Sequence, residues 1–212
     1  MPSFERTGKA LAIDRGIKHA VVCSDNRFIG RSKHKEHERK LLQLRARLQS
    51  KGTTCAHRHL KKLSGRLRRF KENVDRWVAK EVLSTLNPGD TIVLEDLTNI
   101  KKHCGEKRKA RKKHRIHMGR WSYKRLENAI SYLAQIKGVY VDFVKPHFSS
   151  QECSCCRTIS KKNRKTRSFY SCSCGVKLHA DLNAARTIAN RWHMAKGYMH
   201  GPSVNRPIVV GS

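Results

Sequence analysis

The chain has 212 residues and carries 47 Lys and Arg against 16 Asp and Glu, a formal net charge of +31 at pH 7. That length buries one respectable core with a small satellite attached; no ordinary soluble enzyme needs that charge, so the natural partner is a polyanion, nucleic acid being the commonest. No apolar run approaches the ~20 residues of a membrane span, and four of the eight cysteines sit at metal-ligand spacing rather than in a short disulfide scaffold, so a reducing, cytoplasmic setting without membrane contact is expected.

In chain order, residues 9–14 (KALAID) read as a buried strand closed by the turn Arg15-Gly16. Residues 17–23 (IKHAVVC) form a second strand, and residues 27–30 a short third after the turn Ser24-Asp25-Asn26. Strands joined this tightly make an antiparallel meander. From residue 31 to 86 the period becomes helical. Leu41, Leu44 and Leu48 share one stripe, residues 50–54 break it, and Leu60, Leu63, Leu67, Phe70, Val74, Trp77 and Val78 then recur at three- and four-residue steps. This is a helical hairpin, and its fifteen Lys and Arg over residues 31–71 give it a nucleic-acid face.

Asn87-Pro88-Gly89-Asp90 is a turn, and residues 91–95 (TIVLE) are a buried strand ending in a carboxylate. A basic loop follows, in which Lys101, Lys102, Lys107, Arg108, Lys109, Arg111, Lys112 and Lys113 are candidate phosphate contacts. Trp121, Leu126, Ile130, Leu133 and Ile136 mark one face of a helix stopped at Gly138, before the strand 139–144 (VYVDFV). Asp181 opens a last amphipathic helix through Leu182, Ala185 and Ile188, and the tail from residue 197 to 212 is without period and expected to be disordered.

Between the last strand and the last helix lie Cys153-x-x-Cys156 and, after fifteen intervening residues, Cys172-x-Cys174 followed by Gly175. Two such knuckles aim four thiolates at one tetrahedral Zn²⁺, as in a zinc ribbon over residues 149–179. The second pair is one residue tighter than the common spacing. Cys155 is a spectator between the first pair. The basic loop between the knuckles, with Phe169 and Tyr170, is either a phosphate contact or a solvated segment.

The element order is a mixed α/β layer fold that matches an RNase H-like domain. Its core spans residues 1–148 with the helical insertion at about 31–86, and it resumes at 180–196 after the metal segment. In such a fold Asp14, Glu95 and Asp181 come together. Oxygen ligands of this kind suit Mg²⁺ or Mn²⁺, and a pair of cations about 3.5–4 Å apart hydrolyses phosphodiesters. Each acid also has a plainer role: Asp14 in a turn, Glu95 on the surface, Asp181 as a helix N-cap.

The blocks AIDRGIKHAVV, IVLEDL, SSQECSCC and YSCSCGVKLHADLNAARTI resemble the signatures of the TnpB (OrfB) transposon-encoded family, relatives of the type V CRISPR effectors. The resemblance covers nearly everything from Lys9 to Trp192. It implies a RuvC-like nuclease with an inserted zinc ribbon, acting as an RNA-guided DNA endonuclease on DNA with a guide RNA. It assigns Asp14, Glu95 and Asp181 as catalytic acids, Asn183 to the family's D-x-N-A-A segment, and Cys153, Cys156, Cys172 and Cys174 as zinc ligands. Arg15 departs from the smaller or apolar residue usual beside the first acid, and Arg157 from the Gly common after the first knuckle. The first acid stands at position 14, so the family's guide-gripping amino-terminal region is absent, and a truncated nuclease core is expected.

The leading expectation is therefore a metal-dependent DNA endonuclease core of the annotated transposase type. The alternative is a non-catalytic nucleic-acid-binding remnant or regulator. Retention of all three acids favours the nuclease, because a binding module has no need of a cluster that repels phosphate. A strand-joining transposase is weaker, since the cysteines and the D-x-N-A-A block point elsewhere.

Overall fold

The computed structural model describes residues 4–16, 19–30, 32–97 and 123–197. Strands β1 (Ala10–Asp14), β2 (His19–Cys23) and β3 (Phe28–Gly30) form the meander. Helices α1 (Ser32–Lys51) and α2 (Thr54–Leu83) follow, then β4 (Thr91–Glu95), α3 (Tyr123–Lys137) and β5 (Tyr140–Val144). A short hairpin, β6 (Phe169–Ser171) and β7 (Lys177–His179), leads directly into α4 (Ala180–Ala195).

The main sheet has the order β3-β2-β1-β4-β5. Its first three strands pair antiparallel, whereas β1–β4 and β4–β5 pair parallel, and α3 supplies the crossover that parallel neighbours require. Strand side chains alternate between faces, and both central strands use both faces. Leu11, Ile13, Ile92 and Leu94 point into a core built with Val78, Val82 and Leu83 of α2 and Leu126 and Ile130 of α3. Ala12 and Val93 point the other way, against Ile188, Ala189 and Trp192 of α4. Each such buried aliphatic contributes about 1.5–3 kcal/mol. Because the strand period is two, Asp14 and Glu95 share the α4 face with Ala12 and Val93.

The hairpin breaks where Gly52 takes a φ of 63° and Thr53 caps α2 by accepting the Ala56 N–H at 3.2 Å. Its seam is Leu41 against Leu63 and Leu67, with Leu42, Leu48 and Phe70 at the margin. Leu44, expected in that stripe, is 44% exposed: Leu42 rather than Leu44 takes the flank of the seam with α2. Ile136 is likewise not part of the α3 seam at 66% exposure; Ala134 is buried in its place, because the sheet meets a narrower face of α3 than the apolar spacing suggests. Trp121 lies outside the described residues. Arg27, expected in β3, precedes it and has another task. Its guanidinium donates to the Glu81 and Val82 carbonyls at 2.9 and 3.3 Å, satisfying the open end of α2. No helix among the described residues is long and apolar enough to cross a membrane.

Candidate active site and metal centre

Asp14 ends β1 and Glu95 ends β4, parallel neighbours whose side chains emerge on the face covered by α4. Asp181 is the second residue of α4, and that helix packs across β1. Three distant stretches thus deliver three carboxylates to one end of the sheet. Burial first, then the charges of Glu95 and Asp181, push the Asp14 carboxyl up to about 8, while Arg164 and Arg15 pull against the shift. Burial also raises Glu95, opposed by a hydrogen bond from Ser149 and by Arg15 and Arg191. The buried Glu95 Oε1 has no hydrogen-bond partner among the described residues. A proton-hungry carboxyl, an orphaned buried carboxylate oxygen and an all-oxygen donor set fit a hard divalent cation. The three are not closed into a ready-made cage, however. Among the described residues only the four cysteines place all their ligand atoms within 4.8 Å of one another.

Three neighbours of these acids were not singled out by the sequence in the roles they hold. Arg15 follows Asp14 and so points to the opposite face, where its fully buried guanidinium pairs with Glu127 of α3 at 2.9 Å. It also donates to the Glu95 backbone carbonyl, tying the ends of β1, β4 and α3 together. Arg164, from the loop between the cysteine knuckles, reaches Asp181 Oδ1 at 3.5 Å. The N-cap of α4 is His179, whose Nδ1 accepts the Asp181 N–H at 3.3 Å. Asp181 is therefore not the helix cap, and its carboxylate is left available for other partners. Only the alternation at Asp14-Arg15 was readable beforehand; the reach of Arg164 depends on the folded loop.

The second cluster is local. Cys153 and Cys174 stand 3.6 Å apart at sulfur, and Cys156 and Cys172 stand 3.5 Å apart. Four sulfurs on one zinc, at bonds of about 2.3 Å, would lie roughly 3.8 Å from each other, so the set fits the ion. Cys155 is exposed and outside the set. Burial pushes the Cys153 thiol up to about 12, and Thr158 beside Cys156 holds that thiol down at about 6. The first knuckle closes through Arg157 N–H to the Cys153 carbonyl at 2.9 Å, the second through Gly175 N–H to the Cys172 carbonyl at 3.1 Å. Gly175 takes a φ of 93° and Arg157 one of 62°; glycine enters that region freely, arginine at a cost of about 1 kcal/mol. Around the sulfurs Tyr170, Val176 and Ala180 form a small core of their own. The basic loop between the knuckles thus ends in β6, which pairs with β7 beyond the second knuckle, and its Tyr170 is buried in that small core.

Asn183 joins this unit to α4. Its side chain accepts from Ser154 N at 3.0 Å and donates to the Glu152 carbonyl at 2.7 Å, gripping the backbone on either side of Cys153. Arg191 adds a pair with Glu152, and Asn190 donates to the Ser154 carbonyl at 2.6 Å. The cysteine unit and the start of α4, including Asp181, therefore share one set of fastenings. The candidate phosphate contacts Lys101, Lys102, Lys107, Arg108, Lys109, Arg111, Lys112 and Lys113 lie outside the described residues.

Comparison with known proteins points in one direction. The family model described as Cas12f1-like, TNB domain, matches residues 123–188, the span that holds α3, β5, the cysteine unit and the first half of α4. The CRISPR-associated endodeoxyribonuclease Cas12f1 of Sulfoacidibacillus thermotolerans is 37% identical over 100 residues, which are 47% of this chain and 21% of that protein. A TnpB-like protein of Methanocaldococcus jannaschii is 33% identical over 98 residues, 46% of this chain and 34% of that one. Among solved structures, a Cas12f1–sgRNA–target DNA complex has the same fold, with a TM-score of 0.67 at 23% identity over 85% of this chain and 49% of that one. The chain spans about a fifth to a third of the length of these curated relatives.

Proposed function

Taking as premise that this chain is a relative of the TnpB-like proteins and the Cas12f effectors, we propose that it is a RuvC-like, metal-dependent DNA endonuclease core that works on DNA with a guide RNA. The sheet order supports an RNase H-like reading, because a three-stranded meander followed by two parallel strands sets the ends of β1 and β4 side by side. The observation that carries the proposal is the delivery of Asp14, Glu95 and Asp181 by β1, β4 and α4 to one end of the sheet. A non-enzymatic module gains nothing from crowding three acids where phosphates bind.

In this reading Asp14, Glu95 and Asp181 hold the catalytic cations, Mg²⁺ or Mn²⁺. Bound there, such ions supply an activated water and stabilise the departing 3′ oxygen. Glu95 offers its unpartnered Oε1, and Arg15, from behind the strand, fixes the β4 end that carries it. Arg164 pairs with Asp181 at 3.5 Å, and is placed to turn its guanidinium to a phosphate oxygen when Asp181 is engaged elsewhere. Cys153, Cys156, Cys172 and Cys174 hold a structural Zn²⁺. The basic residues between 101 and 113 add phosphate contacts that set affinity rather than sequence preference.

The test is cleavage of labelled single-stranded DNA with Mg²⁺ or Mn²⁺ by the chain and by its Asp181→Asn variant, with DNA binding measured in parallel. Cation-dependent cutting that Asp181→Asn abolishes while binding persists supports the proposal. A second reading, a nucleic-acid-binding protein without catalysis, rests on the Arg164–Asp181 pair, which occupies one acid. It takes over if neither cation gives cutting, with or without co-purified RNA, while binding is intact.

A further inference from the structure

Beside the acids stands a group of rings that the nuclease reading does not use. Asp14 is the register partner of Val22 on β2, and Val22 is the register partner of Phe28 on β3. Residues directly opposite one another project from the same face of a sheet, so Asp14, Val22 and Phe28 make one row across three strands. Two strand spacings separate the ends of that row, about 10 Å. The Phe28 ring meets His179 edge to face, with centroids 5.1 Å apart at 87°. It meets His19 at 5.4 Å and 75°, and the two histidines lie 5.8 Å apart at 84°.

The cluster is well braced. His179 is the N-cap of α4, its Nδ1 fixed by the Asp181 N–H, and His19 sits on β2. Two rings thus hold the third, yet Phe28 remains 40% exposed on a strand at the sheet edge. Phe169, register partner of His179 in the hairpin, is 44% exposed as well. Cations rim the same region: Arg164 touches Asp181, and Arg167 and Lys177 are exposed on the loop and hairpin that lead to His179. An exposed, rigid aromatic surface with a basic rim, in the same row as Asp14 and two strands away, has the build of a base-stacking platform on single-stranded nucleic acid.

We propose that Phe28, braced by His19 and His179, stacks a base of the single-stranded DNA whose neighbouring phosphate lies at Asp14, Glu95 and Asp181. The proposal rests on the reading of those acids as the cleavage site. A backbone held only by charges can slide along a basic surface. A base pinned about 10 Å away fixes which phosphate meets the acids. Stacking needs a π-face and no particular base, so the platform positions the strand without selecting a sequence.

The test uses the full chain with zinc bound, its Phe28→Leu and Phe28→Trp variants, and two fluorescent strands of equal length, oligothymidine and an abasic deoxyribose-phosphate chain. Binding is followed by anisotropy at fixed moderate salt without added Mg²⁺ or Mn²⁺, after thermal melting confirms that both variants fold. Phe28→Leu should weaken oligothymidine binding about tenfold, the scale of one stacked base. Phe28→Trp should restore it, and the abasic strand should bind wild type and Phe28→Leu equally. Equal oligothymidine affinities, or an equal loss on the abasic strand, overturn the platform. The two readings fail separately. If the chain cuts DNA through its acids while Phe28→Leu binds like wild type, only the platform is lost. If no cutting occurs yet the base-dependent loss is seen, the nuclease reading is lost and the platform stands.

Discussion

The molecule carries two candidate metal sites, and they are built in opposite ways. The cysteine site draws all four ligands from residues 153–174, within a unit that has its own small core. Its sulfurs already stand near tetrahedral spacing. The carboxylate site draws its ligands from β1, β4 and α4, spread over residues 14–181. Its acids remain open, with one carboxyl pushed up to about 8, one oxygen without a partner among the described residues and one acid leaning on an arginine. Closed sites suit structural ions, whereas a site that must admit water and a phosphate keeps positions free. The fastening of Asn183 across Cys153 makes the closed site a support for the open one.

The sharpest break in this comparison comes from the cysteines. Cys172→Ser should lower zinc from one ion per chain and unfold the β6–β7 unit locally, since binding free energy of a structural zinc is on the order of 10 kcal/mol. Cys155→Ser should leave the zinc content unchanged. Metal analysis of both purified variants decides the matter, and equal loss in the two would mean that the ligand set is misassigned.

A smaller effect is expected behind the acids. Arg15→Met removes one partner of the Glu127 ion pair and takes the guanidinium donor from the Glu95 carbonyl, while Glu127 keeps Lys124 at 2.6 Å, at a cost of about 2 kcal/mol. Chemical denaturation should show this loss while zinc content stays constant, because Arg15 serves the sheet and α3 and not the cysteine unit.

The pH effect of Asp14 is confined to the metal-free chain. Its folded carboxyl is raised from 3.8 to about 8, so the folded chain holds a proton that the unfolded chain releases. Stability from this group is fully present below about pH 4 and is lost as pH rises towards 8. Asp14→Asn should therefore gain on the wild type as pH rises through that window without divalent cation. Thermal melts of the pair against pH read the difference directly, and a difference that is flat with pH would remove Asp14 from the crowded cluster.

The smallest effect concerns Arg157, whose φ of 62° is strained for any residue with a Cβ. Arg157→Gly should stabilise the first knuckle by about 1 kcal/mol. Slower zinc release to a chelator is the measurement, and faster release would show that the arginine side chain contributes more than its backbone costs.

The same contrast explains what was legible in the sequence. Cysteine spacing is a local code, and it selected the four sulfurs that lie together. Apolar periodicity located the meander, the helical hairpin and the break at Gly52 for the same reason: each depends on neighbours within a few turns. What escaped depends on distant partners. Leu44 and Ile136 obey the helical period, but no second element among the described residues covers them. Asp181 looked like a helix cap because Asp caps well, and nothing local says that His179 takes that place. Arg15 stood out beside Asp14 only as a departure from the usual smaller residue, and nothing local says that its guanidinium pairs with Glu127 of α3. The reach of Arg164 to Asp181 and the ring cluster at Phe28 require β6, β7 and α4 to be in place first.

The central claim is that Asp14, Glu95 and Asp181 form one divalent-cation site. Its most direct measurement is Mn²⁺ binding, followed by electron paramagnetic resonance on zinc-loaded wild type and on Asp14→Asn, Glu95→Gln and Asp181→Asn. Each substitution should weaken Mn²⁺ binding strongly while leaving zinc content and fold intact. Wild-type Mn²⁺ affinity in all three variants would contradict the claim.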